Sequence, residues 1–117
     1  MEIYKDMITG LNIDNNKNHV VFRKLNNWLG TIEKLYVDKD KRRKGIATKF
    51  LRTIECFAIA DGIGKLSLLC RSDNDAAVAL YLKNGFFIEA TLKRHYSSDT
   101  NHYVLSKFIG VEKIENK

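Results

Sequence analysis

Proline is absent from the 117 residues, so no fixed ring marks a turn or linker, and element boundaries must be read from Gly, Asn and Asp. Cysteine is scarce. Cys56 and Cys70 stand at a spacing that suggests neither a disulfide framework nor a metal site, and both read as small apolar core residues. The three histidines, His19, His95 and His102, do not pair at metal-ligand spacing, so no metal is expected. Long apolar runs are also missing: each is broken by Lys, Arg, Glu or Asp well short of the roughly 20 residues a membrane helix needs. Met1–Leu11 carries Glu2, Lys5 and Asp6 and lacks the apolar centre of a signal peptide. The expectation is a cytoplasmic protein without a membrane span.

What is present suits a packed core. Hydrophobic residues make up 44% and charged residues 29%, an ordinary globular balance, and no repeat, low-complexity tract or linker divides the chain. One domain over residues 1–117 is expected. The net charge of +6 favours anionic partners, with nucleic acid the first to consider. The densest basic cluster, Lys39–Lys44, is compact and runs directly into Gly45, which a phosphate-bearing small molecule explains more economically. Nucleic acid is therefore not the expected partner.

Asn12–Asn18 holds four Asn and one Asp and reads as a loop. His19–Leu25 and Trp28–Val37 read as a β-hairpin joined through Asn26-Asn27, the second strand being central because Ile32, Leu35, Tyr36 and Val37 make its end nearly continuously apolar. From 46 to 60, Ile46, Phe50, Leu51, Ile54, Phe57 and Ala58 recur at three- and four-residue intervals, the pattern of an amphipathic helix. Gly62 and Gly64 stop it, and Lys65–Arg71 follows as a buried strand. Ser72–Asp75 offers N-caps for a second helix, Ala76–Asn84, closed by Gly85. Phe86–Lys93 and His102–Phe108 read as a second hairpin, and Glu112–Lys117 as a loose end. This is α/β (α+β) patterning: a mixed, mostly antiparallel central sheet flanked by helices.

The strand ending at Val37, the basic turn after it and the helix starting near Gly45 make a strand–turn–helix phosphate site. Unsatisfied amides at a helix start, at the positive end of its dipole, receive phosphate oxygens. Small residues at Gly45 and Ala47 let a ligand approach those amides, and Arg42, Arg43 and Lys44 add positive charge. The pattern is neither a Walker loop nor a three-glycine dinucleotide fingerprint.

Arg42-Arg43-Lys44-Gly45-Ile46-Ala47 resembles the acyl-coenzyme A signature of the GNAT superfamily of N-acetyltransferases, Gln/Arg-x-x-Gly-x-Gly/Ala. The flanks are similar too: Leu35-Tyr36-Val37 ends the preceding strand, and Asn74 precedes a helix bearing Tyr81. Ala79–Phe86 looks like the family's second motif, and Arg94-His95-Tyr96 is similar to protein N-terminal acetyltransferase members. The resemblance spans roughly residues 30–108. The difference lies ahead of the hairpin, where family members usually have a strand and one or two helices and only 18 residues stand here; the fold it implies is GNAT-like with a shortened N-terminal region.

The resemblance implies acetyl-CoA as acetyl donor and a primary amine as acceptor: a protein N-terminus, a lysine side chain, a polyamine or a small amine. It also implies site roles. The backbone of Leu35, Tyr36 and Val37 would pair with the pantetheine arm and supply an oxyanion-stabilising amide, while Arg42, Arg43, Lys44, Gly45, Ile46 and Ala47 would hold the pyrophosphate. Tyr81 would be the general acid near the sulfur. Asn74 would contact the cofactor arm, cap a helix, or do both. Glu33 is the first candidate for general base, with His95, Tyr96 and Glu89 as others. A non-catalytic acetyl-CoA sensor is the alternative reading, and an exposed sheet edge would favour pairing into a homodimer.

Overall fold

The computed structural model describes residues 2–6, 10–15, 18–38, 42 and 45–110, with backbone alone for 2–6 and 10–15. Arg43 and Lys44, most of the Lys39–Lys44 cluster and the expected loose end Glu112–Lys117 lie outside the described residues. The chain forms two compact units, one reaching Leu66 and resuming at Phe108, the other running Ser67–Lys107.

The first unit holds β1 (Glu2–Asp6), β2 (Gly10–Asn15), β3 (Asn18–Lys24), β4 (Leu29–Tyr36), α1 (Ile46–Ala60) and the start of β5 (Lys65–Arg71). Strands β1 to β4 form an antiparallel meander in which Ile3 faces Ile13, Ile13 faces Val20 and Phe22 faces Ile32. The expected Asn12–Asn18 loop is thereby corrected: Gly10–Asn15 is a strand, and Asn15 pairs with Asn18 at the start of β3. Ladder hydrogen bonds to β3 outweigh the weak strand preference of Asn and Asp. The described residues ahead of β3 are thus strands, where members of the family it resembles usually place helices as well.

Helix α1 forms because its apolar positions fall on one stripe, and it packs on β3 and β4. Phe50 and Ile54 are fully buried beside Leu51 and Ala58, with Val20, Phe22 and Ile32 in the core of the same unit. Full burial of such a side chain contributes about 1.5–3 kcal/mol. Ile46 is half-buried and Phe57 exposed, so the stripe is narrower than its pattern suggests. Cys56 is exposed rather than in the core; Cys70 is buried. The helix ends in a Schellman arrangement: Gly62 takes φ 81°, its N–H donates to Ile59 O at 3.0 Å, and Ile63 N–H donates to Ala58 O at 2.9 Å. The β3–β4 hairpin closes on Asn26, whose Oδ1 accepts from the amides of Trp28 at 2.8 Å and Leu29 at 2.7 Å.

The second unit holds the rest of β5, α2 (Asp75–Lys83), β6 (Phe87–Leu92) and β7 (His102–Phe108) up to Lys107, with β7 between β5 and β6. β6 and β7 are antiparallel, and Leu68, Tyr81, Phe86 and Leu105 are buried. Gly85 (φ 93°) closes α2, with Phe86 N–H reaching Tyr81 O at 3.0 Å. The architecture is mixed α/β with mostly antiparallel pairing, as the residue pattern indicates. No helix among the described residues is long and apolar enough to cross a membrane.

Candidate active site

The end of β4 is irregular. Val21 faces Glu33 but His19 faces Tyr36, so Lys34 and Leu35 together oppose the single residue Val20. Lys34 takes φ 50°, the left-handed conformation that marks residue one of such a bulge. Such a bulge disrupts the β3–β4 ladder locally at Lys34 and Leu35 and bends the strand there. Beyond it, Tyr36 is 41% exposed and Val37 buried, so this end of β4 is open at Tyr36 rather than covered on both faces.

The chain leaves β4 under restraint. Asn18, only 2% exposed, accepts a hydrogen bond on Oδ1 from the Asp38 amide. Arg42 folds back, its Nε donating to Val37 O at 2.9 Å and its guanidinium lying 5.9 Å from the Tyr36 ring centroid. His19 stacks on the same ring at 5.9 Å. The turn then enters α1 through Gly45, at φ 78° and ψ 8°. A Cβ built on Gly45 meets nothing within 4 Å among the described residues, so the demand for glycine is conformational. Among the described residues no side chain caps α1, and its first turn carries no acidic residue, although an exposed N-terminus normally gains from both. Such a helix start is suited to an anion. Leu35, Tyr36, Val37, Arg42, Gly45, Ile46 and Ala47 therefore lie on one continuous strand–turn–helix segment.

In the second unit, Asn74 stands at the N-cap of α2, its Oδ1 accepting from Ala77 N–H at 3.2 Å. The capping role expected as one option is present, and it engages the amide oxygen rather than the NH2 group. The preceding turn is fixed by Arg71, whose Nε and Nη2 grip the two Asp73 oxygens at 3.1 and 3.0 Å. That grip holds the Asp73 carboxyl below its ordinary range. Tyr81 lies on the inward face of α2, 7% exposed and edge-on to Phe86 at 5.7 Å. Burial, with a smaller contribution from Cys70, pushes its hydroxyl up to about 12. Tyr81 therefore keeps its proton at neutral pH. Burial and then Asp73 also push the Cys70 thiol up.

Glu33 sits in the first unit, 3.4 Å from Arg23 Nη2 across the β3–β4 ladder, with both side chains partly exposed. Of the other candidate bases, Glu89 accepts from the buried Ser106 hydroxyl at 2.5 Å at a β6 irregularity, and His95 packs edge-on against the 59% exposed Tyr96 at 4.8 Å. Among the described residues, no group of three or more His, Cys, Asp or Glu could hold a metal ion. Two contributors escaped sequence reading: Asn18, submerged in an Asn-rich stretch, and Lys34, whose left-handed conformation a lysine does nothing to announce.

The first unit thus has a helix start suited to an anion behind a bulged strand, and the second has a buried, protonated phenol. Comparison with known proteins gives these features a family. Residues 10–86 match the profile described as Acetyltransferase (GNAT) family. Comparison with curated proteins gives no match. Among solved structures, the chain is similar to Ard1 from Thermoplasma volcanium, with 27% identity and a TM-score of 0.75, over 81% of this chain and 64% of that one. It is similar in fold to the ribosomal-protein-S18-alanine N-acetyltransferase from Escherichia coli, with 20% identity and a TM-score of 0.75, over 92% of this chain and 72% of that one. A GNAT family acetyltransferase from Elizabethkingia anophelis with acetyl-CoA bound has 18% identity and a TM-score of 0.78, over 88% and 78%. The chain spans less than two thirds of the length of the Ard1 chain. With residues 10–86 matched to that profile, the chain belongs to the acetyltransferase (GNAT) family.

Proposed function

We propose that residues 1–117 act as one acyltransferase domain that moves the acetyl group of acetyl-CoA to a primary amine by direct attack. The observation that carries this reading is the bulged strand running through a restrained turn into an uncapped helix headed by Gly45, within the matched region. Acetyl-CoA supplies the activated thioester. The amides at the start of α1, with Arg42, Arg43 and Lys44, receive the pyrophosphate, and the backbone of Leu35, Tyr36 and Val37 pairs with the pantetheine arm.

A backbone N–H of the Leu35–Val37 stretch stabilises the oxygen of the carbonyl as the amine nitrogen bonds to its carbon. As the carbon–sulfur bond breaks, Tyr81 donates its hydroxyl proton to the departing thiolate, a role consistent with a phenol that stays protonated well above neutrality. Glu33, held by Arg23, takes the proton released by the amine, directly or through water. Asn74 keeps its oxygen on the helix cap and turns its NH2 toward the cofactor arm. The acceptor is an amine on a protein N-terminus, a lysine, a polyamine or a small metabolite.

Thiol release from acetyl-CoA across a panel of such amines, with calorimetric binding of CoA alongside, tests the reading. Amine-dependent thiol release with stoichiometric acetylated product supports it. Tight CoA binding without turnover on any acceptor points to a sensor, and no CoA binding at all overturns both.

A further inference from the structure

Asn18 is a polar side chain with almost no solvent exposure, placed on β3 rather than on any segment expected to meet the ligand. Its single described hydrogen bond spans 20 residues, from the Asp38 amide to its Oδ1. Asp38 is where β4 gives way to the turn that leads to Arg42 and Gly45. The extra residue at Lys34–Leu35 is what makes this meeting geometrically available: the register shifts by one between Val21–Glu33 and His19–Tyr36, and continuing the shifted pairing sets Asn18 beside Val37. An unshifted ladder would set Asn18 beside Tyr36 instead, placing Asp38 two residues past the position facing Asn18 rather than one.

We infer that Asn18 is a positioning residue for the acetyl-CoA site: by accepting the Asp38 amide it pins the far end of the bulged strand, and so fixes together the backbone that faces the thioester and the turn that faces the pyrophosphate. The inference rests on the acetyl-CoA reading above. Register is weakly specified where a strand lacks a buried face, and past the bulge β4 is exposed at Tyr36. Here a side chain specifies it: beyond Tyr36, the last residue of β4, the Asp38 N–H donates to Asn18 Oδ1. Arg42, bonded to Val37 O, and His19, stacked on Tyr36, hold the two residues that precede Asp38. Asn18 reaches the ligand only through this backbone and touches none of the reacting atoms.

The test uses the full chain with Asn18→Ala and Asn18→Leu, the second filling the buried volume without offering an acceptor. Calorimetry with CoA and steady-state rates with acetyl-CoA are read beside the melting temperature. We expect the CoA dissociation constant and the acetyl-CoA KM to rise about tenfold, the cost of one hydrogen bond and a loosened turn, with kcat changing much less. A merely structural role would lower the melting temperature and leave KM of the folded fraction unmoved, which would overturn the inference. Should neither variant fold, hydrogen exchange of the wild type decides: a slowly exchanging Asp38 amide, slowed further by CoA, supports the clamp, and a freely exchanging one overturns it. Wild type that fails to bind CoA removes the acetyl-CoA reading itself. Wild type that binds, with both folded variants equally tight, removes only the role of Asn18.

Discussion

The Val37 carbonyl accepts the Arg42 Nε at 2.9 Å, so the buried residue directly after β4 and the one described side chain of the Lys39–Lys44 cluster are bound to each other. A guanidinium that spends Nε on a backbone carbonyl still presents its outer nitrogens to an anion. Arg42 thus shapes the turn and charges it with one side chain.

Replacing Arg42 should accordingly do more than remove a charge. We expect Arg42→Ala to weaken CoA binding about tenfold or more, as the loss of a charge-assisted hydrogen bond implies. Arg42→Lys should recover only a small part, because one ammonium cannot hold the carbonyl and reach a phosphate together. Calorimetry with CoA checks both; full recovery by lysine would reduce Arg42 to its charge.

Tyr81 carries a pH prediction with a definite sign. Its hydroxyl is raised from 10.0 to about 12, so above pH 10 the unfolded chain gives up a proton that the folded chain keeps. Stability from this group is complete below the unfolded value and is lost as pH climbs through about 12, a change on the order of 2–3 kcal/mol. Tyr81→Phe should flatten that alkaline slope in denaturant titrations between pH 9 and pH 12. The same substitution should slow acetyl transfer in single-turnover assays far more than it weakens acetyl-CoA binding; equal rates would remove Tyr81 from the acid role.

Asn74 can be tested on both of its assignments at once. Asn74→Asp keeps an oxygen for the Ala77 amide and loses the NH2 donor, whereas Asn74→Ala loses both. We expect Asn74→Ala to cost about 1 kcal/mol of stability through the cap and Asn74→Asp to cost little. If the cofactor contact holds, both weaken acetyl-CoA binding; a wild-type KM in Asn74→Asp would leave the cap as its sole task.

Gly64 and Trp28 make a packing prediction. A Cβ on Gly64 would run into the Trp28 ring, while the Trp28 carbonyl receives the Gly64 and Lys65 amides at 2.9 and 3.1 Å, so ring and backbone have no room to separate. Gly64→Ala should destabilise the fold by about 1–3 kcal/mol, the usual cost of overpacking. Trp28→Ala in the same chain should relieve most of it, a coupling that a double-mutant cycle measures and that additive losses would contradict.

Much of the fold is legible in the residue pattern. Helix α1 over 46–60 and strands β5 and β7 have the bounds their patterns indicate, because strong 3.6-residue periodicity and Gly punctuation are local signals. The segment Asn12–Asn18 misled for the opposite reason. Its Asn-rich composition argues for a turn, yet Leu11 and Ile13 alternate with polar residues, and a neighbouring strand sufficed to draw Gly10–Asn15 into the sheet. Cys56 misled in the same way: being small and apolar does not decide which side of a helix faces solvent.

Residue order alone determined the family resemblance and the strand–turn–helix that carries it, since a phosphate cradle needs only a strand end, a small residue and a helix start close together in the chain. It could not determine how that cradle is held. The one-residue slip at Lys34–Leu35, the reach of Asn18 to Asp38 and the ion pair of Glu33 with Arg23 depend on which residues of β3 stand opposite β4. Register is set by pairing between distant stretches of backbone, and a backbone hydrogen bond carries no mark of the side chain beside it.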